Sequence, residues 1–359
     1  MRVLMTGSEW FGSRPGGLNR YFEGLFMALQ PLEGVVTEAY AFGDAPAGGA
    51  SWGPMGGSTA ARTLKSRSPR DRDQPHVLDR HFSLYGPPSP ARRSAGLEVD
   101  HFHGPWAAES AVAGAGRVAQ AVKYVVERSR YRQARALVVL SEPFKQLLVS
   151  RYGVDRERVE VIPPGVPEHF FHASPMNVEP KTVICVRRLE RRMGIDVLLE
   201  AWRGVLQQHP EARLEIVGRG KEEGALRMMA RSLGIADSVA FLGALDDSAL
   251  AAAYARSRVS VVPSRALEGF GLVAAESLAA STPVIVTDVG GLPSTVADLD
   301  SSLVVPPEDS TALRERISAA LDGALPERDR CRAHARRFSW AAVAARHLQL
   351  YSRLLESGA

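Results

Sequence analysis

Two glutamates, Glu268 and Glu276, stand eight positions apart in the run Pro263 to Gly291, PSRALEGFGLVAAESLAASTPVIVTDVGG. The first lies in a glycine-rich loop, Glu268 to Gly271, and the second falls in the second turn of Leu272 to Ala280, where Leu and Ala recur at helical spacing. A glycine loop that opens a helix leaves backbone N–H groups free at the positive end of the helix dipole. A phosphate or diphosphate binds there without any side chain. Helical side chains lean toward the N-terminus, so Glu276 points back at the loop and two carboxylates flank one anion site.

Other groups with chemical potential are more scattered. His81 (RHFSLYGPP) and His101 and His103 (DHFHGPWAAES) each close a short strand signal. Lying at alternating positions, they are not expected to share one pocket, and His103, in the loop before a helix-like segment, is the favoured functional one. Asp71 and Asp73 make a D-x-D pair in an arginine-rich loop with no strand before it, which reads as solvated charge. Gly218 to Gly224 (GRGKEEG) resembles a dinucleotide fingerprint and makes an NAD(P)-dependent Rossmann-type oxidoreductase the competing reading. The acidic residue expected about 20 positions further on is missing from Ser238 to Phe241. No HExxH, CxxC, Walker-type loop or nucleophile elbow occurs.

The elements that position these residues alternate. Strands are expected at Met1–Gly7, His76–Phe82, Leu97–Phe102, Ala136–Leu140 and Val159–Pro163, with helices at Gly16–Leu29, Val118–Arg132 and Glu142–Ser150. Phe42 to Asp73, rich in Gly, Ser, Pro and Arg, reads as a long loop, and Pro163 to Phe171 as a linker between domains. The second half predicts strands at Thr182–Val186, Arg213–Val217, Val239–Leu242, Val259–Pro263, Pro283–Thr287 and Ser302–Val305. Helices at Ile195–Gln208, Glu222–Leu233, Ser248–Arg256 and Ser310–Leu321 stand between them, and an amphipathic helix, Trp340–Leu355, closes the chain. Strand and helix in this rhythm build parallel sheets covered on both faces: an α/β chain of two Rossmann-like halves, with ligands at the carboxyl ends of the strands.

The 359 residues suffice for two domains, and 45% hydrophobic with 23% charged residues is a globular composition. No apolar run reaches the roughly 20 residues of a membrane span, and Met1–Gly7 lacks a signal-peptide layout, so a cytoplasmic location is expected. Two cysteines, Cys185 and Cys331, exclude a disulfide framework. A formal charge of +4, spread over many arginines, allows weak peripheral membrane contact, while scattered aromatics give no nucleic-acid platform.

PSRALEGFGLVAAESLAASTPVIVTDVGGLP resembles the signature of the retaining glycosyltransferases of family 4, the group 1 type. The Gly16–Gly17 loop, HFHGPW, LSEPFKQLL, VIPPGV, VRRLERRMGIDVLLEAW, LEIVGRG and FLGALDD follow the family's order over nearly the whole chain. The resemblance implies the GT-B fold, two facing Rossmann-like domains with an interdomain cleft: residues 1–168, residues 169–338, and a C-terminal helix, 339–359, returning to the first domain. It implies a hexosyltransferase that moves a sugar from a UDP- or GDP-sugar to an acceptor hydroxyl, on a saccharide, a lipid-linked sugar or a small-molecule glycoside. Neither a metal nor a cofactor is implied, the nucleotide-sugar being a co-substrate. Glu268 would contact the sugar and Glu276 the ribose, while Phe270 and the backbone of Gly271, Leu272 and Val273 hold the diphosphate. Arg188 matches the phosphate-binding arginine; the family's usual lysine is Met193 here, which makes Arg192 the expected second cation. Gly218, Arg219 and Gly243 would face the base, Gly17 the diphosphate and His103 the sugar. A binding protein that keeps the GT-B fold without catalysis is the third reading.

Overall fold

The structure, a computed structural model, describes residues 1–14, 16–67, 76–87, 97–104, 116–174, 178–266 and 268–358. The pair Asp71 and Asp73 lies outside them. The chain divides into two compact units, one of Met1–Gly165 with Trp340–Ala359, the other of Val166–Ser339.

In the first unit β1 (Arg2–Glu9), β2 (Val36–Phe42), β3 (Ala50–Ser51), β4 (Val77–Arg80), β5 (Leu97–Phe102), β6 (Ala136–Val139) and β7 (Val159–Val161) make one sheet in the order 3-2-1-4-5-6-7. Every pairing is parallel. Such strands are covered on both faces, so they read as apolar runs: ALVV of β6 is buried throughout. Helix α1 (Gly17–Leu29) buries Tyr21, Phe22, Leu25, Phe26 and Leu29, one stripe at helical spacing. The C-terminal helix (Trp340–Gly358) adds Val343, Ala344, Leu350 and Tyr351 to the same core. Its Trp340 ring lies against Gly24 and Gly165, where an added Cβ would stand 2.1 Å from ring carbon, so both must stay glycine.

One expectation fails here, and one strand went without an expectation. β2 is a strand that its polar Thr and Glu conceal, and Phe42 to Asp73 is not one long loop. It holds β3 and α2 (Thr59–Ser66), whose first turn is capped by the Ser58 hydroxyl accepting from Ala61 N–H. Tertiary contacts organise this glycine-rich sequence: Trp52 stacks on Tyr40, and the Arg62 guanidinium covers Phe42 and pairs with Glu9. Two further helices follow in the first unit, α3 (Arg117–Gln133) and α4 (Glu142–Leu147).

The second unit has β8 (Glu179–Val186), β9 (Arg213–Val217), β10 (Val239–Gly243), β11 (Ser257–Val262), β12 (Val284–Thr287) and β13 (Val304–Val305) in the order 10-9-8-11-12-13, again all parallel. Its helices are α5 (Glu168–Phe171), α6 (Ile195–Gln208), α7 (Glu223–Ser232), α8 (Asp247–Arg256), α9 (Leu272–Ala279), α10 (Pro293–Val296), α11 (Ser310–Leu321) and α12 (Arg328–Ala335). The expected linker thus carries α5. Before the last helix stands α12, which Arg328 ties to the sheet by donating to the carbonyls of Ser257 and Ala255 and to Thr282 Oγ1.

Candidate functional site

In each sheet the strand order reverses once, between β1 and β4 and between β8 and β11. Helices leave neighbouring strands in opposite directions at such a point, which opens a crevice at the carboxyl ends. In the second unit the loops after β8, β9, β11 and β12 converge there. Gly218, at φ +137°, is pressed so close to the Arg187 carbonyl that a Cβ would stand 1.9 Å from its oxygen. Gly194, at φ +69°, meets the Pro263 carbonyl at the same distance. Arg187 N–H donates to Val217 O, Leu189 N–H to Arg219 O, Arg265 N–H to Arg192 O and Gly291 N–H to Glu268 O. Glycine allows four loops to be sewn together by main chain. Gly218→Ala is expected to cost at least about 2 kcal/mol of unfolding free energy, combining left-handed strain and overlap. A urea midpoint equal to that of the parent would refute this close packing.

Within this frame Glu268 is half-buried, and its Oε2 receives Arg187 Nη2 and, at 3.3 Å, Ser264 Oγ. Arg187 is buried, whereas its neighbour Arg188 is exposed and Arg192 half-buried. Two positions on from Gly269, Gly271 takes the left-handed conformation (φ +89°) at the start of α9, and among the described residues no side chain caps that helix. The first N–H groups of a helix, here those of Leu272 and Val273, have no intrahelical acceptor and form the kind of helix start that can take an anion. Phe270 is buried against Phe338, and Glu276 is 3% exposed within α9. Gly218 N–H donates to Gly243 O, which sets Gly218, exposed Arg219 and Gly243 side by side at the ends of β9 and β10.

The first unit holds the remaining candidates. Gly17 is the exposed first residue of α1. His103 follows β5, and period two puts it on the same face as His101, while Asp79 and His81 share that face on the adjacent β4. The expectation that the three histidines diverge is therefore corrected. Their rings stack: His81 lies 3.8 Å from His101 and 5.4 Å from His103, and His101 lies 5.4 Å from His347 of the C-terminal helix. His81 Nδ1 is 3.3 Å from His103 Nε2. The Asp79 carboxylate, fully buried, sits 2.7 Å from His101 Nε2 and 3.6 Å from His81 Nε2, and accepts the Tyr351 hydroxyl. His347 Nδ1 donates to Val343 O at 2.8 Å, leaving Nε2 as acceptor toward Tyr21.

Burial pushes the imidazole pKa values down, to about 4 for His101 and His347, and well below the usual range for His103. Burial alone would raise Asp79, but the charges and hydrogen bonds of His101 and His81 hold it well below the usual carboxylate range. Nitrogens of His81, His101 and His103 come within 4.8 Å of one another. Imidazole lone pairs lie in the ring plane, and these planes are within 22° of parallel. As arranged, the rings form a stack and not a convergent set of metal ligands.

The family model of glycosyl transferases group 1 matches residues 168–338, and that of glycosyltransferase family 4 matches residues 16–170. The chain belongs to the family 4 glycosyltransferases. A D-inositol 3-phosphate glycosyltransferase of Segniliparus rotundus is 35% identical over 232 residues, 59% of this chain and 51% of that protein. A phosphatidyl-myo-inositol mannosyltransferase of Mycobacterium leprae is 34% identical over 182 residues, 50% of this chain and 48% of that one. The chain spans about half the length of these curated relatives. Among solved structures, the sucrose-phosphate synthase of Thermosynechococcus elongatus superposes with a TM-score of 0.77 at 22% identity, covering 99% of this chain and 100% of that one. Anabaena HepE, solved with UDP and glucose, gives 0.74 at 16%, covering 98% and 100%. The shared fold is GT-B. The sequence does not single out Arg187, Ser264 or Asp79, which the structure places beside Glu268 or the histidine stack. The doubled arginine at 187 and 188 was the visible signal for the first; nothing local marked the other two.

Proposed function

We propose that this glycosyltransferase moves a sugar from a nucleoside-diphosphate sugar, with UDP or GDP as the leaving nucleotide, to an acceptor hydroxyl with retained anomeric configuration and no metal requirement. The observation that carries the reading is the Glu268 carboxylate, held by Arg187 and Ser264, three residues before the helix start at Gly271. A departing diphosphate carries the charge that this helix end stabilises, with Arg188 and a second cation assisting. In this reading Glu268 orients the sugar and Glu276 the ribose, and Gly218, Arg219 and Gly243 border the base. A leaving phosphate oxygen takes the acceptor's proton on the face it departs from, which needs no protein nucleophile.

Incubation with a panel of UDP-, GDP-, ADP- and dTDP-sugars, with inositol phosphates and simple glycosides as acceptors, tests this. Release of UDP or GDP that persists in EDTA is the expected result. Loss in EDTA restored by Mn²⁺ would remove the metal-free mechanism. Nucleotide binding without release for any pair would favour a binding protein.

A further inference from the structure

Of the two adjacent arginines that end β8, the buried one occupies the more constrained position. Arg187 is 8% exposed. Its Nη2 donates to Ser264 Oγ at 2.5 Å and to Glu268 Oε2, and lies 2.9 Å from Met193 Sδ. Its Nε, also buried, has no acceptor among the described residues. A guanidinium offers five N–H donors in a fixed fork, and among the described residues Nη2 carries the side-chain contacts. Taking a cation out of water is unfavourable unless its charge and its donors are matched, and one shared carboxylate matches the charge while leaving donors over.

The location supplies the missing acceptor's identity. Arg187 sits at the strand-order reversal between β8 and β11, its own carbonyl clamped against Gly218, and its carboxylate partner Glu268 is three residues before the uncapped start of α9. We propose that Arg187 is the second cation of the donor site: it holds Glu268 in place while the site is empty and gives its unused donors to the diphosphate when the nucleotide-sugar binds. This rests on the donor-site reading above. It also gives Arg187 the task that the sequence suggested for Arg192. The thioether of Met193 touches the guanidinium, so a lysine at that position would carry its ammonium into the volume that Arg187 Nη2 now fills.

The charge can therefore be relocated as a test. Arg187→Met is expected to weaken UDP or GDP binding, measured by titration calorimetry on the full chain, by about tenfold or more. The double variant Arg187→Met/Met193→Lys is expected to bind within about threefold of the parent. A folded Arg187→Met that binds as the parent does would overturn the proposal, since a purely structural arginine would shift the urea midpoint and leave affinity alone. If Arg187→Met does not fold, the double variant decides: folded and tight supports the role, folded and weak by tenfold overturns it. Absence of UDP and GDP binding by the parent itself would remove the donor-site reading, and the proposal with it, which is a distinguishable result.

Discussion

Replacing Glu268 by glutamine is expected to lower sugar transfer by about 100-fold, the usual scale for losing one charge-stabilising group in a preorganised site. The substitution preserves shape and removes charge. In the parent, the carboxylate is held by Arg187 and Ser264 at the mouth of the β8–β11 crevice. With glutamine there the guanidinium loses its counter-charge, and the sugar loses an ionised hydrogen-bond acceptor, a partner roughly twice as strong as a neutral one. Nucleotide binding should persist, because the main chain at the α9 helix start and the guanidiniums of Arg187 and Arg188 are all retained. Single-turnover assays with the donor found in the panel would show a fall in the chemical step at nearly constant nucleotide affinity. Transfer within threefold of the parent would end the assignment of Glu268 to the reacting sugar.

Acidification from pH 6.5 to 5 is expected to remove about 2 kcal/mol or more of folding stability. His101 and His347 have folded-state pKa values near 4, against about 6.5 in an unfolded chain. A histidine depressed in this way contributes stability that is complete above pH 6.5 and is lost as pH falls toward 4, because the unfolded chain takes up protons that the native stack refuses. His81 and His103 act in the same direction, both lowered mainly by burial. Asp100 opposes them: burial and the neighbouring Glu98 raise it to about 7, so the native state holds a proton there that the unfolded state has released. Two histidines against one carboxyl leave a net of one proton, about 1.4 kcal/mol per pH unit, before the other two imidazoles are added. Urea unfolding at pH 7, 6 and 5 measures this directly, and an unchanged midpoint would show that the stack is protonated in the native state. His347→Phe keeps a stacked ring and should flatten the dependence.

The two expectations depend on different kinds of information. Glu268, the glycine turn at Gly271 and the helix that follows could be read from a single continuous run, because the spacing of carboxylate, glycine and apolar residues is a local property of one strand–loop–helix unit. Parallel sheets were legible for the same reason, each buried strand being a short apolar run separated by an amphipathic helix. The segment from Phe42 to Asp73 was not legible, since β3 and α2 depend on Trp52, Arg62 and their contacts with Tyr40, Phe42 and Glu9 in other elements.

By itself, then, the sequence determined the α/β architecture, the family and the loop where a diphosphate is expected to bind. Tertiary structure decided which side chains gather around Glu268. Arg187 and Arg188 are one residue apart and chemically identical, and only the closure of the β8, β9 and β11 loops sends one inward to Glu268 and leaves the other exposed. Asp79 meets Tyr351 across 272 positions of sequence. Periodicity governs neighbours along the chain, whereas a buried carboxylate's partners are set by strand order and by which helix covers the sheet, and neither is encoded at the positions that meet.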